Sequence, residues 1–127
     1  MATTPHAYPP AEVEARLARD LPRWRYRDGS LFRRYETHGW KGTMLAIGAI
    51  GHLAEAAWHH PEIAASWGWV EVRLNTHDAG GGITDRDFAL AGKIEEVVAW
   101  QPGLLGGALE GTPQDDLRFA YIKYDKS

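Results

Sequence analysis

Val13, Leu17 and Leu21 recur every four residues, with Glu12, Glu14, Arg16 and Arg19 between them. That period puts the apolar positions on one side of a short amphipathic helix. Pro10 suits its first turn, where a missing N–H costs nothing, and Pro22 ends it. Aromatic-rich runs follow at 24–27 and 31–35, separated by Asp28-Gly29-Ser30. Asp-Gly between such runs predicts a β-hairpin. A longer helix is expected over 41–58, where Met44, Ile47, Gly51, Ala54 and Trp58 fall at spacings of three and four. Its many glycines and alanines suit close packing on a sheet, and Pro61 prevents its continuation. From 69 to 76 the pattern alternates. Val70, Val72, Leu74 and Thr76 take one face and Glu71, Arg73 and Asn75 the other, as in a half-buried strand. A glycine loop at 77–82 leads to Thr84, which opens a third helix whose apolar side includes Ile94, Val97 and Val98. A short extra strand is expected near 63–66.

The order α-β-β-α-β-α is satisfied most simply by an α+β domain, an antiparallel sheet with helices packed on one face. Residues 1–10 hold three prolines and no periodicity, and are expected to form a flexible arm. Residues 101–113 are rich in glycine and proline, and 117–124 read as one more strand. Leu117, Phe119 and Tyr121 alternate with Arg118, Ala120 and Ile122, so that strand should dock on the same domain or on a neighbouring subunit rather than stay an open edge.

Composition narrows the chemistry. At 127 residues and 44% hydrophobic content the chain suits one globular domain. The absence of cysteine excludes disulfides, a thiolate nucleophile and cysteine-based zinc sites. No signal-peptide pattern and no run of ~20 apolar residues is present, so a cytoplasmic protein without a membrane span is expected. A net charge of −3 argues against direct nucleic-acid binding. The five arginines at 23, 25, 27, 33 and 34 read as a solvated strand face, with a phosphate-binding patch as the sharper alternative.

Six histidines are the main candidates for chemistry, and three of them sit at element ends. His59 and His60 lie where the long helix meets Pro61, and His77 lies where a strand meets the glycine loop. Such positions are where functional side chains concentrate. The plainer readings are a C-terminal capping pair for His59-His60 and an ordinary loop residue for His77. Thr84 and Asp87 form a capping-box variant, and Glu55 and His59, four apart, could make a local ion pair. A metal site from His52, Glu55 and His59, completed by His77 or Asp78, is a rival chemistry, although the helix lacks H-E-x-x-H. Neither a nucleophile elbow nor a phosphate-binding glycine fingerprint is found.

Taken together, Glu55-x3-His59-His60-Pro61, Trp67, Thr76-His77 and Asp87 resemble the signature of the pterin-4a-carbinolamine dehydratase family. The likeness extends to Leu21-Pro22-Arg23-Trp24 and to Asp87-Phe88-Ala89-Leu90-Ala91, and so covers about 11–99. The resemblance implies a four-stranded antiparallel sheet with helices on one side, in a homodimer or homotetramer. It implies loss of water from 4a-hydroxytetrahydrobiopterin to give quinonoid dihydropterin. That step belongs to tetrahydropterin recycling for aromatic amino acid hydroxylases. By position, His59, His60 and His77 become the catalytic histidines, with no metal and no other cofactor. Glu55, Trp67, Thr76, Asp78 and Asp87 become residues that bind or orient the pterin and the imidazoles. His59 and His77 are assigned to proton transfer and His60 to holding the substrate. Two departures from the family pattern stand out, the three consecutive glycines at 80–82 and the extension over 100–127. The alternative is a non-catalytic relative, a transcription-factor dimerisation cofactor or a Rubisco assembly factor.

Overall fold

The computed structural model of the protein describes residues 6–100 and Ile122. Helix α1 (Pro10–Asp20) leads into strands β1 (Arg25–Arg27) and β2 (Ser30–Glu36), helix α2 (Trp40–Ala57), strands β3 (Glu62–Ser66) and β4 (Trp69–Leu74), and helix α3 (Asp85–Val98). A single 3-10 turn, His77–Ala79, lies between β4 and α3. The four strands form one sheet in the order β1-β2-β4-β3, each pair antiparallel. This is the α+β class expected, with β3 where the short extra strand was placed.

Strand alternation decides which side is covered. Leu31, Arg33 and Tyr35 of β2 stand opposite Leu74, Val72 and Val70 of β4, and all six are buried. Helices pack on this face through Val13 and Leu17 of α1, Ala46, Ile50 and Ala54 of α2, and Phe88, Ala91, Ile94 and Val98 of α3. On the other face the ring of Phe32 has the guanidinium groups of Arg27 and Arg73 at 4.5 and 4.9 Å. Arg34 bonds there to Glu36 and Glu71. The arginine run is therefore not uniformly solvated. Arg33 falls on the core face because position 33 is in phase with Leu31 and Tyr35, and its charge is met there by Glu95 at 2.8 Å.

Among the described residues, no helix is long and apolar enough to cross a membrane. Of the strand expected at 117–124 only Ile122 is described; it is buried and bridges antiparallel to Thr37. The loop at 101–113 and the rest of that strand lie outside the described residues.

The register of β3 on β4 matters most for function. Glu62 pairs with Arg73 and Ser66 with Trp69. The start of β3, just after His59-His60-Pro61, therefore lies beside the end of β4, just before Thr76-His77. Trp67 occupies the turn at the opposite end of the same hairpin, roughly 16 Å away at ~3.3 Å per residue.

Candidate active site

Helix α2 ends by a backbone reversal that aims the two histidines apart. Trp58 takes the left-handed conformation (φ 49°, ψ 48°). Its N–H donates to Glu55 O and that of His59 to Ala54 O. A non-glycine residue pays about 1 kcal/mol for this conformation. The freed Trp58 carbonyl accepts a 3.0 Å bond from the Arg86 guanidinium. Beyond the reversal His59 is buried and His60 exposed.

His59 faces Asp87, which is completely buried. The His59 Nε2 to Asp87 Oδ1 distance is 2.6 Å. The other carboxylate oxygen, Oδ2, accepts from Thr76 Oγ1 at 2.7 Å and from the Thr84 N–H at 2.9 Å. Thr76 spends its one hydroxyl proton on Asp87, so in the 2.8 Å bond between the two threonines it is Thr84 that donates. Asp87 is thus at once the N3 member of a capping box on α3 and the partner of a buried imidazole. A carboxylate only accepts, so Nε2 must carry the proton it shares with Oδ1. Neutral His59 is then the Nε2–H tautomer, with its free lone pair on Nδ1. Nδ1 makes no hydrogen bond among the described residues.

His59 also lines a cleft of about 460 Å³ between α2 and α3, with Leu53, Ala56, Ala57, Arg86, Leu90 and Lys93. Apolar walls with a few polar groups among them are what an aromatic heterocycle of moderate size requires. Lys93 is anchored to Glu96 at 3.0 Å.

The expected site residues fall into three groups. His59, Thr76 and Asp87 form one buried hydrogen-bonded unit. Around it, at the adjoining element ends, His77 is exposed on the 3-10 turn next to Thr76, and Asp78 stands 3.9 Å from Arg86. Glu55 bonds His60 Nε2 at 2.9 Å, with both side chains exposed. The local contact expected between Glu55 and His59 is therefore made with His60 instead. The reversal at Trp58 breaks the helical phase that an i,i+4 pair relies on. Trp67 stands apart, at the far end of the hairpin. Its ring lies where a Cβ on Gly39 would come within 3.1 Å, and its carbonyl accepts from Thr43 Oγ1. The rival metal shell finds no support in the donor geometry, since among the described residues no three histidine, aspartate or glutamate side chains gather to hold an ion. Sequence reasoning missed Arg86, Thr84 as a bonded partner of Thr76, and the cleft walls. Arg86 carried one usable signal, its place beside Asp87 in the first turn of α3.

This chain matches the family model described as Pterin 4 alpha carbinolamine dehydratase over residues 6–97. It is 42% identical over 87 residues to a protein of Aquifex aeolicus (strain VF5) named "Putative pterin-4-alpha-carbinolamine dehydratase", a match covering 68% of this chain and 86% of that one. A protein of the same name from Haloarcula marismortui is also 42% identical over 87 residues, covering 68% of this chain and 90% of its own. Among solved structures, a transcriptional coactivator/pterin dehydratase from Brucella melitensis has the same fold. Its TM-score is 0.66 at 23% identity, over 73% of this chain and 99% of that one.

Proposed function

Since this chain belongs to the pterin 4 alpha carbinolamine dehydratase family, we propose that it removes water from 4a-hydroxytetrahydrobiopterin to give quinonoid dihydropterin. The observation that carries the reading is the buried pair of His59 and Asp87, with the second ring nitrogen of His59 left without a partner among the described residues. In the substrate C4a bears the hydroxyl and the neighbouring N5 bears a proton. The C4a–O bond breaks as the oxygen gains a proton and leaves as water, while the N5 electron pair forms the C4a=N5 double bond. N5 then gives up its proton, so the net change is loss of one water. Imidazole serves both steps because it gives and takes protons near neutrality. His59 is the base, acting through Nδ1, and Asp87 holds the ring and stabilises the imidazolium that forms, the role of a carboxylate behind a catalytic histidine. His77 supplies the proton to the leaving hydroxyl, and His60, steadied by Glu55, holds the pterin. Stopped-flow dehydration of freshly generated 4a-hydroxytetrahydropterin tests this. Catalysed formation of quinonoid dihydropterin is expected, and a rate no faster than buffer would overturn it.

The proposed chemistry needs neither metal nor organic cofactor. Dehydration is expected to survive exhaustive chelation. Loss of the rate on chelation, with recovery by one specific metal, would replace this mechanism by a metal-assisted one.

We also propose that the protein is a homodimer or homotetramer. Trp40, Met44 and Leu45 expose about half of their surface along α2, and every residue of the edge strand β3 is exposed. Light scattering on the eluting protein should report the oligomer, and Leu45→Glu should shift it toward monomer. A wild-type monomer at micromolar concentration would refute the association. The same apolar stripe supports the second reading, an interaction protein on this scaffold, and the dehydration assay separates the two.

A further inference from the structure

The glycine run at 80–82 and the segment before α1 have no role in the chemistry above, yet the structure joins them. Gly80 and Gly81 have φ of 67° and 83°, conformations that favour glycine. Gly82 is not in that region, so its lack of a side chain needs another cause. A Cβ built on Gly82 would stand 2.8 Å from the Ala7 Cβ and 3.2 Å from the Ala79 carbonyl oxygen. The third glycine is therefore required by the close passage of the N-terminal segment.

That segment is held by several independent contacts. The Tyr8 N–H donates to Ile83 O at 2.8 Å. The Tyr8 hydroxyl donates to Asp85 Oδ1 at 2.6 Å, and Arg16 donates to the same oxygen at 2.8 Å. Together they hold the Asp85 carboxyl below the usual carboxylate range. The Tyr8 ring meets Phe88 edge-on at 5.9 Å, and the Arg16 guanidinium lies 4.2 Å from the centre of the Phe88 ring.

Where these contacts land is the point. Ile83 sits between Gly82, whose carbonyl accepts from the Thr76 N–H, and Thr84, whose N–H and hydroxyl reach Asp87 and Thr76. Asp85 is two residues before Asp87. The contacts therefore flank the stretch that closes the 76–82 loop and sets the Asp87 carboxylate. We propose that residues 6–9 are a strap that fixes the loop from Thr76 to Thr84, and through it the Asp87–His59 pair, with Tyr8 and Gly82 as positioning residues. The strap acts on the site read above as a dehydratase centre and so rests on that reading for its catalytic consequence. Its structural consequence stands alone.

The test uses the full chain with Gly82→Ala, the double variant Ala7→Gly/Gly82→Ala, and Tyr8→Ala. The double variant removes the nearest atom that the new Cβ would strike, the Ala7 Cβ, and leaves the 3.2 Å approach to the Ala79 carbonyl oxygen. Two signals are read, the imidazole 15N and 1H resonances of His59 with the Thr84 amide, and the split of dehydration kinetics into kcat and KM. Gly82→Ala should shift those resonances and lower kcat about tenfold with KM changed by less than about twofold, milder than the roughly hundredfold cost of a 1 Å misplacement at a reacting centre. The double variant should move both signals back toward wild type. Unshifted resonances in Gly82→Ala, or failure of Ala7→Gly to rescue it, would overturn the strap. Should Gly82→Ala not fold, Tyr8→Ala carries the same resonance test, and unshifted His59 and Thr84 signals there overturn it equally. A wild type inactive on pterin would sink the dehydratase reading while leaving the resonance test of the strap in force.

Discussion

His59→Ala is expected to slow dehydration by about 10²–10⁴-fold, the usual contribution of a well-placed general acid–base group. His77→Ala should fall in the same range by the same argument. The double variant should lose far less than the product of the two, because both imidazoles serve one proton-transfer unit. Asp87→Asn sharpens the test. Its amide oxygen would take over the bonds from Thr84 N–H and Thr76 Oγ1, leaving the NH₂ group to face His59 Nε2. That group donates, so Nε2 would have to accept and the proton would move to Nδ1. The base would then present a proton where it needs a lone pair, with little change in shape. The rate should drop strongly while the fold persists, and the tautomer change should be visible in the ring 15N shifts. His60→Ala should act mainly on KM. Near-normal turnover by both His59→Ala and His77→Ala would remove the mechanism.

The parts of this site that could be read from sequence are those set by local rules. Pro61 ends a helix, alternation defines β4, and Thr84 with Asp87 three residues on marks a helix start. These placed His59, His60, Thr76, His77 and Asp87 at element ends. The β3–β4 register then made those ends adjoin, through pairings such as Glu62 with Arg73. One plain reading, the capping box, holds alongside the buried pair, since Asp87 caps α3 through Oδ2 and meets His59 through Oδ1. Several contacts that sequence missed share a cause, side chains meeting across long stretches of chain. Tyr8 and Asp85 are 77 residues apart, and Trp24 and Glu95 are 71 apart. No period or spacing encodes such pairs. The Glu55 partner was missed for a local reason, because helical phase was carried through Trp58, where the backbone turns left-handed.

Glu95→Ala is expected to cost about 3 kcal/mol, the low end for breaking a buried ion pair because the carboxylate keeps some solvent contact and is partly screened. Glu95 gathers polar groups from two separate stretches, Trp24 before β1 and Arg33 and Tyr35 of β2, onto the inner face of the sheet. Its Oε1 accepts from Trp24 Nε1 at 2.9 Å, Arg33 Nε at 2.8 Å and the Tyr35 hydroxyl at 2.9 Å, and its Oε2 from Arg33 at 3.1 Å. Truncation would take the carboxylate away from Arg33 and leave the buried Trp24 Nε1–H and Tyr35 hydroxyl without the acceptor they share, and buried donors that lose their acceptor make such changes expensive. In a domain of this size the melting temperature should fall by about 10 °C or more. The pH dependence follows from the direction of the shift. Burial works to raise the Glu95 pKa, but the Arg33, Tyr35 and Trp24 hydrogen bonds and the Arg33 charge outweigh it, so the folded value lies below the ordinary one. A depressed carboxylate stabilises the fold above its unfolded pKa of ~4.3 and loses that contribution as pH falls through the folded value. Glu95→Gln keeps an acceptor for Trp24 and Tyr35 but has no charge to lose. Its stability deficit against wild type should therefore be large near neutrality and shrink on acidification below about pH 4. Urea unfolding of the two proteins from pH 7 to pH 3 measures this difference, and a deficit independent of pH would show that Glu95 acts by packing alone.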